Sequence, residues 1–185
     1  MAHGYRFLAV LAVVAATGAG VAQGEFTLGS SSLQNGTFAP AQALNKFSCT
    51  GGDVSPALSW TGAPAGTQSF AITMFDPDAR NGQGFWHWTM YDIAAGTTGL
   101  QEGAGAPGSE LAPAGAVEGA TSFGAPGYGG PCPPQGDAPH HYQLTVYALD
   151  VATLDVPADA TPVILHQIIR DHALATAVLS VPYAR

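Results

Sequence analysis

The chain has 185 residues, 46% hydrophobic and 10% charged, enough for one domain with a real core. Thirteen Asp and Glu stand against five Lys and Arg, which argues against binding nucleic acid or an anionic membrane surface, since both need basic patches. Twenty-four glycines and fourteen prolines point to many turns and long loops. At the N-terminus, Met1–Arg6 carries one positive charge and Phe7–Ala16 is an apolar run too short to span a bilayer. Gly20-Val21-Ala22 suits signal peptidase, so residues 1–22 are predicted to be a signal peptide. Residues 23–185 are then a single domain without a transmembrane segment, periplasmic or secreted. A retained N-terminal anchor is the alternative.

Export would permit one disulfide between Cys49 and Cys132, the only cysteines. Both lie in Gly/Pro-rich loops, and two separate thiols is the other reading. Phe26, Leu28 and Phe38 hint at an edge strand. Leu58-Ser59-Trp60 sits between turn-dense stretches, and Ser69–Phe75 reads as a buried strand. Asp76–Gly84 is a loop. Phe85–Ile93 is an aromatic-rich strand whose alternation puts His87 with Phe85 and Thr89, opposite Trp86 and Trp88. Residues 94–127 read as a long ordered excursion within the same domain.

Residues 127–142, Gly-Tyr-Gly-Gly-Pro-Cys-Pro-Pro-Gln-Gly-Asp-Ala-Pro-His-His-Tyr, can form neither a regular helix nor a central strand. They are expected to make a shaped loop with backbone groups free to face a ligand. His141–Leu149 returns to strand, with Tyr142, Leu144 and Val146 on one face and Gln143, Thr145 and Tyr147 on the other. Alternation sends His140 with Tyr142 and His141 away. The last element is a helix with Thr161 as N-cap and Pro162 in its first turn. Ile164, Leu165, Ile168, Ile169, His172, Ala175, Val178 and Leu179 extend its pattern until Pro182. The sum is a mainly β, antiparallel domain with a C-terminal helix.

The candidate site is one polar pocket, walled by the Gly/Pro loop on one side and by Asp76-Pro77-Asp78 and His87 on the other. An Asp beside His87 would orient the ring and favour its charged form, which binds an anionic oxygen through N–H donors. No nucleophile elbow, zinc-protease motif, P-loop or dinucleotide fingerprint occurs. Asp76, Asp78, His87 and His140 are metal-ligating types, but their spacing is diagnostic of no metal site, so no metal and no cofactor are assigned.

Ser55-Pro56-Ala57-Leu58-Ser59-Trp60, Asp76-Pro77-Asp78-Ala79, His87-Trp88, Gly127 to Pro134 and His140-His141-Tyr142 follow in that order. With Ser69-Phe70-Ala71-Ile72 and Tyr147-Ala148-Leu149-Asp150, this series resembles the phosphatidylethanolamine-binding protein family over roughly residues 25–183. The closer resemblance is to its bacterial and fungal Raf-kinase-inhibitor-like branch. It implies a central antiparallel sheet, a second small sheet and a pocket for phosphate-like, carboxylate or phospholipid head groups. By the same resemblance Asp76, His87, Gly130 (as a backbone donor), His140 and Tyr142 are the binding residues, with Asp78 and Pro131 supporting. Arg80 stands where the family motif has a second proline, and His141 where it more often has arginine. The expectation is an exported, non-enzymatic binding protein for a small anion, with regulation or inhibition of a protein partner as a further role. A hydrolase using the Asp/His cluster, or an interaction module acting through its loops, are the alternatives.

Overall fold

The computed structural model describes Met1, residues 24–33 and residues 35–185; the predicted signal peptide otherwise lies outside the described residues. Three short strands, β1 (Thr27–Gly29), β2 (Leu58–Thr61) and β5 (Gly99–Leu100), form a small antiparallel sheet in the order β1-β2-β5. A larger sheet takes β3 (Ser69–Asp76), β4 (Phe85–Ala94), β6 (Val117–Glu118), β7 (His140–Leu149) and β8 (Ala173–Tyr183) in the order β6-β4-β3-β7-β8. A single turn, α1 (Ala79–Gly82), links β3 to β4, and the helix α2 (Pro162–Asp171) precedes β8.

Strand β3 is central and covered on both faces, which explains its nearly continuous apolar run. Its Phe70, Ile72 and Met74 face the small sheet, where Trp60 meets Phe70 with ring centroids 5.3 Å apart. Ala71, on the other face, packs with Tyr147, Leu149, Leu165 and Ile169 beneath α2. Burying these side chains contributes about 1.5–3 kcal/mol for each large aliphatic or aromatic residue. The large sheet is thus the middle layer, and the two faces of β7 follow the alternation expected from the sequence.

Two expectations are corrected. The C-terminal helix stops at Asp171, and residues 173–183 are the edge strand β8, paired with β7 from His140↔Tyr183 to Leu149↔Ala173. The start of α2 is as expected, with the Thr161 hydroxyl accepting from the Ile164 N–H at 3.3 Å. Beyond it, Ala175, Ala177, Leu179 and Val181 alternate with Thr176, Val178 and Ser180. Apolar Val178 on the outer face blurred that period of two into a helical one. Ladder bonds to β7, absent from any local reading, decide the outcome, and Pro182 is tolerated because β8 is an edge.

The second correction is a bulge in β4. Met74 pairs with Trp88 but Phe75 pairs with Trp86, so His87 is the extra residue. The bulge puts Trp86 and Trp88 on opposite faces. Trp86 lies on Phe75 and His166, whereas Trp88 enters the core against Tyr128. His87 is turned to one end of the sheet, beside Phe85 but not beside Thr89.

The Gly/Pro loop is tied down along its length. Tyr128 N–H donates to Gly105 O at 2.8 Å, Gly129 N–H to His87 O at 3.0 Å, and Leu44 N–H to Pro131 O at 3.2 Å. Cys49 and Cys132 are joined as a disulfide across 83 residues. Gly130 is pressed so close to the chain that a Cβ would lie 2.1 Å from Gln42 O. Gly130→Ala is therefore expected to cost at least ~1–3 kcal/mol, read as a lowered midpoint in urea unfolding. An unchanged midpoint would show that the loop does not need this contact.

Candidate functional site

Asp76 ends β3 with its carboxylate only 2% exposed. A buried charge needs partners, and this one has three. Its Oδ1 accepts from the N–H groups of Asp78 at 3.0 Å and Ala79 at 3.2 Å, and its Oδ2 accepts from His140 Nδ1 at 2.7 Å. The first two bonds fold the chain into α1, in which Arg80 and Asn81 take left-handed angles (φ 54° and 57°). That turn lays the Arg80 guanidinium over the Phe85 ring, 4.6 Å from its centroid. No carboxylate pairs with Arg80 among the described residues.

Strand β7 starts opposite. Its alternation sends His140 (8% exposed) and Tyr142 inward and His141 outward, as expected. His141 instead meets Asp78, whose Oδ2 accepts from the His141 N–H at 2.7 Å and lies 3.1 Å from its Nδ1. These bonds hold the Asp78 carboxyl below its ordinary pKa, and make Asp78 a brace between the turn and β7. His87, 6% exposed, comes in from the β4 bulge, with Nδ1 2.9 Å from Gly129 O.

Asp76, His87, His140 and Tyr142 thus meet in one cleft of about 700 Å³. Its walls are mostly apolar, from Leu44, Phe47, Phe123 and Pro133, and its charged rim carries Arg80, Asp137 and Arg185. Burial is the main force on the titrating groups. It pushes His87 down to about 4, beyond what the Gly129 carbonyl and the nearby Asp76 charge restore, so the ring is neutral at neutral pH and not held charged by an Asp as the sequence suggested; the Asp76 carboxylate is bonded to His140 instead. It pushes the Tyr142 phenol up, with the Asp76 charge adding to the effect, so Tyr142 stays protonated.

Gly130 is not part of the cleft lining. Its N–H, the expected backbone donor, is already donated to Asp53 Oδ1 at 2.8 Å. Pro131 likewise lies behind the wall, holding Leu44 through its carbonyl. The loop supplies shape, and few free N–H groups, because a Gly/Pro segment packed this tightly must satisfy its backbone internally. Sequence reasoning missed Phe123, Asp137 and Arg185. Phe123 stands edge-on to Phe85 and His87, with centroids 4.7 and 5.3 Å away. Arg185 donates to Pro133 O at 2.5 Å and Ser48 O at 3.0 Å, closing the rim. None of the three lies in a motif, although Asp137 falls within the loop itself. Among the described residues, no group of three or more His, Cys, Asp or Glu is arranged to hold a metal ion. No helix among them is long and apolar enough to cross a membrane.

A model of the family described as phosphatidylethanolamine-binding protein matches residues 31–184. The chain belongs to that family. Among its relatives, YbcL of Escherichia coli is 42% identical over 143 residues, spanning 77% of this chain and 78% of YbcL. YbhB of the same organism is 36% identical over 156 residues, spanning 84% of this chain and 98% of YbhB. The crystal structure of YbcL, itself described as a new member of the mammalian PEBP family, superposes with a TM-score of 0.83 at 39% identity. It covers 88% of this chain and 99% of the chain seen in that crystal structure. The two antiparallel sheets are thus those of a phosphatidylethanolamine-binding protein, a family of binding proteins.

Because burial depresses His87 from its ordinary 6.5 to about 4, the unfolded chain binds the extra proton first as pH falls. The stability this neutral ring contributes is full above pH 6.5 and is lost as pH falls through about 4. His166, likewise held down to about 4 by burial and then by Arg170, acts with the same sign. Glu118, pushed up to about 8 by burial, acts oppositely, costing stability as pH rises from 4.5 to 8. Urea midpoints across the His87 window should fall less steeply in His87→Gln than in the wild type. Equal slopes would mean that His87 is not buried neutral.

Proposed function

We propose that the protein is an exported, non-catalytic binding protein whose cleft takes a small oxyanion, a phosphate-like or carboxylate group, through His140, with His87 and Tyr142 beside it. The observation that carries this reading is the Asp76–His140 pair. The three donors on Asp76 answer its charge before any ligand arrives, so the carboxylate serves to aim the ring rather than to repel an anion. In its imidazolium form His140 then offers a charge-assisted Nε2–H donor to the cleft. Arg80, stacked on Phe85 and paired with no carboxylate among the described residues, supplies a second positive charge at the mouth. Export is supported by the apolar run at 7–16 with its small-residue sequel, and by the disulfide, which belongs to oxidising compartments.

The hydrolase alternative finds less support. The cleft lining contains no Ser, Thr or Lys, and the Cys132 sulfur that reaches it is bonded to Cys49. A cleft without an aliphatic hydroxyl, a free thiol or an amine beside its histidines is better suited to binding than to covalent turnover. Asp137, with Oδ2 3.7 Å from His140 Nε2, is the one group that competes with an incoming anion for this nitrogen.

Calorimetric titration with phosphate, acetate and phosphoethanolamine should show millimolar or tighter binding. His140→Ala should weaken phosphate at least ~tenfold, by loss of a charge-assisted bond. Asp137→Asn should strengthen it several-fold. An absence of heat with every anion between about pH 5 and 8, where histidine changes charge, would defeat the proposal.

A further inference from the structure

The last strand leaves its outer backbone open. Strand β8 is an edge of the large sheet, and none of its eleven residues, Ala173 to Tyr183, is charged. Pro182 shows which way the backbone groups point. It has no N–H, its carbonyl accepts from the Thr37 hydroxyl at 2.8 Å, and the N–H of its partner His141 goes to Asp78. The Pro182–His141 pair therefore exchanges no ladder bonds. Pairs in an antiparallel ladder alternate, so Thr176, Val178 and Ser180 exchange none with β7 either, and their N–H and C=O groups point away from the sheet. No loop or side chain among the described residues bonds to these groups. The side chains of all three are exposed, Val178 to 56%. Natural sheets guard a long edge with charges, bulges, proline or a covering segment. Here the guards stand only at the ends, a bulge at Leu174 and Pro182 with Thr37 upon it. The stretch between them is neutral and self-complementary. About a two-fold axis at Val178, an antiparallel copy sets Val178 against Val178, Thr176 against Ser180, and Leu174 against Pro182, where both ladders stop.

We propose that two copies of the chain pair antiparallel through β8, residues 176–180 against their twin, and so join two five-stranded sheets into one continuous sheet. The Thr176 and Ser180 hydroxyls then meet as cross-strand pairs. Closure favours this occupant. The opposite edge, β6, has two residues, Val117 and Glu118, and offers β8 no ladder of matching length. Pairing of β8 with β8 uses up both long edges and ends in a closed two-fold dimer instead of a filament. Charge favours it too. Each copy carries a net charge of −8, yet no carboxylate lines the trough beside Thr176 and Val178, and its charged residue is Arg170. Two neutral edges can therefore meet with little repulsion at the contact itself. A single strand pair is small against the ~800 Å² per partner of a standard interface, so the dimer is weak and concentration-dependent.

The test is sedimentation of the purified mature protein from about 10 µM to about 1 mM, a span that covers weak association. A monomer–dimer equilibrium is expected. Val178→Lys, at an exposed position, sets two ammonium groups face to face across the axis and should raise the dissociation constant at least ~tenfold. A monomer at every concentration would overturn the proposal and leave the edge to a strand of some other protein. A dimer that Val178→Lys leaves intact would overturn it by placing the contact elsewhere. Amide exchange followed by NMR in the wild type needs no variant. The Thr176, Val178 and Ser180 amides should exchange freely in the dilute protein and at least ~tenfold more slowly in the concentrated one. Those of Ala177 and Leu179, bonded to β7, should stay slow in both. Equal rates for Thr176, Val178 and Ser180 at the two concentrations would likewise overturn the pairing.

Discussion

The Asp76 carboxylate is the constraint on which the site depends. It lies at the end of the central strand, where the fold leaves no solvent to hydrate it, and burying a lone carboxylate is costly. Each of its three hydrogen bonds has a structural consequence. Two backbone N–H groups reach it only if the chain turns sharply after Pro77, which ends β3 and forces Arg80 and Asn81 into left-handed angles. The third donor, His140, fixes where β7 begins relative to β3 and turns its first ring into the cleft. One buried charge thus positions the arginine at the mouth, the histidine in the wall and the turn between them.

The contrast between His87 and His140 follows from what each has at its back. The two rings have the same chemistry and share a cleft, and each spends Nδ1 on an oxygen. Gly129 offers His87 a neutral carbonyl, and burial then decides its charge state. Asp76 offers His140 a carboxylate oxygen at 2.7 Å. The bulge at His87 is part of this logic, since the extra residue lets Gly129 and His87 exchange two hydrogen bonds, N–H to O in both directions. An unbroken β4 would have aimed this ring along the regular alternation of the strand.

Much of this was legible in the sequence because strand faces are set by a local period. The inward direction of His140 and Tyr142 needed only the alternation of residues 140–149, and the Thr161 cap needed only four residues. The pairing of Asp76 with His140 was not legible; the sequence set an Asp beside His87, and the resemblance over residues 25–183 gave only that Asp76, His87 and His140 share a pocket. What escaped were features set by distant partners. The β8 strand depends on ladder bonds to β7, and apolar residues on both of its faces mimic a helix. The Gly130 N–H looked free because its acceptor, Asp53, lies 77 residues earlier. Phe123 and Arg185 come from segments with no periodicity, so only the closed fold shows that they line the cleft.

An acidic protein with a net charge of −8 is an unpromising host for an anion until the distances are considered. Exposed charges are screened within about 8 Å at physiological ionic strength, so most of the thirteen acidic residues slow an approaching anion only weakly. Inside an apolar-walled cleft, screening and solvation fall away, and the few groups present dominate. Of the five Lys and Arg in the chain, Arg80 and Arg185 line this cleft. Of its three carboxylates, Asp76 is bonded to three donors and Asp78 to His141, which leaves Asp137 as the least committed. The local balance therefore runs opposite to the global one. The sign of the protein's net charge says little about its ligand, because the fold has satisfied the nearest carboxylates internally and left the nearest guanidinium, that of Arg80, without a counter-ion among the described residues.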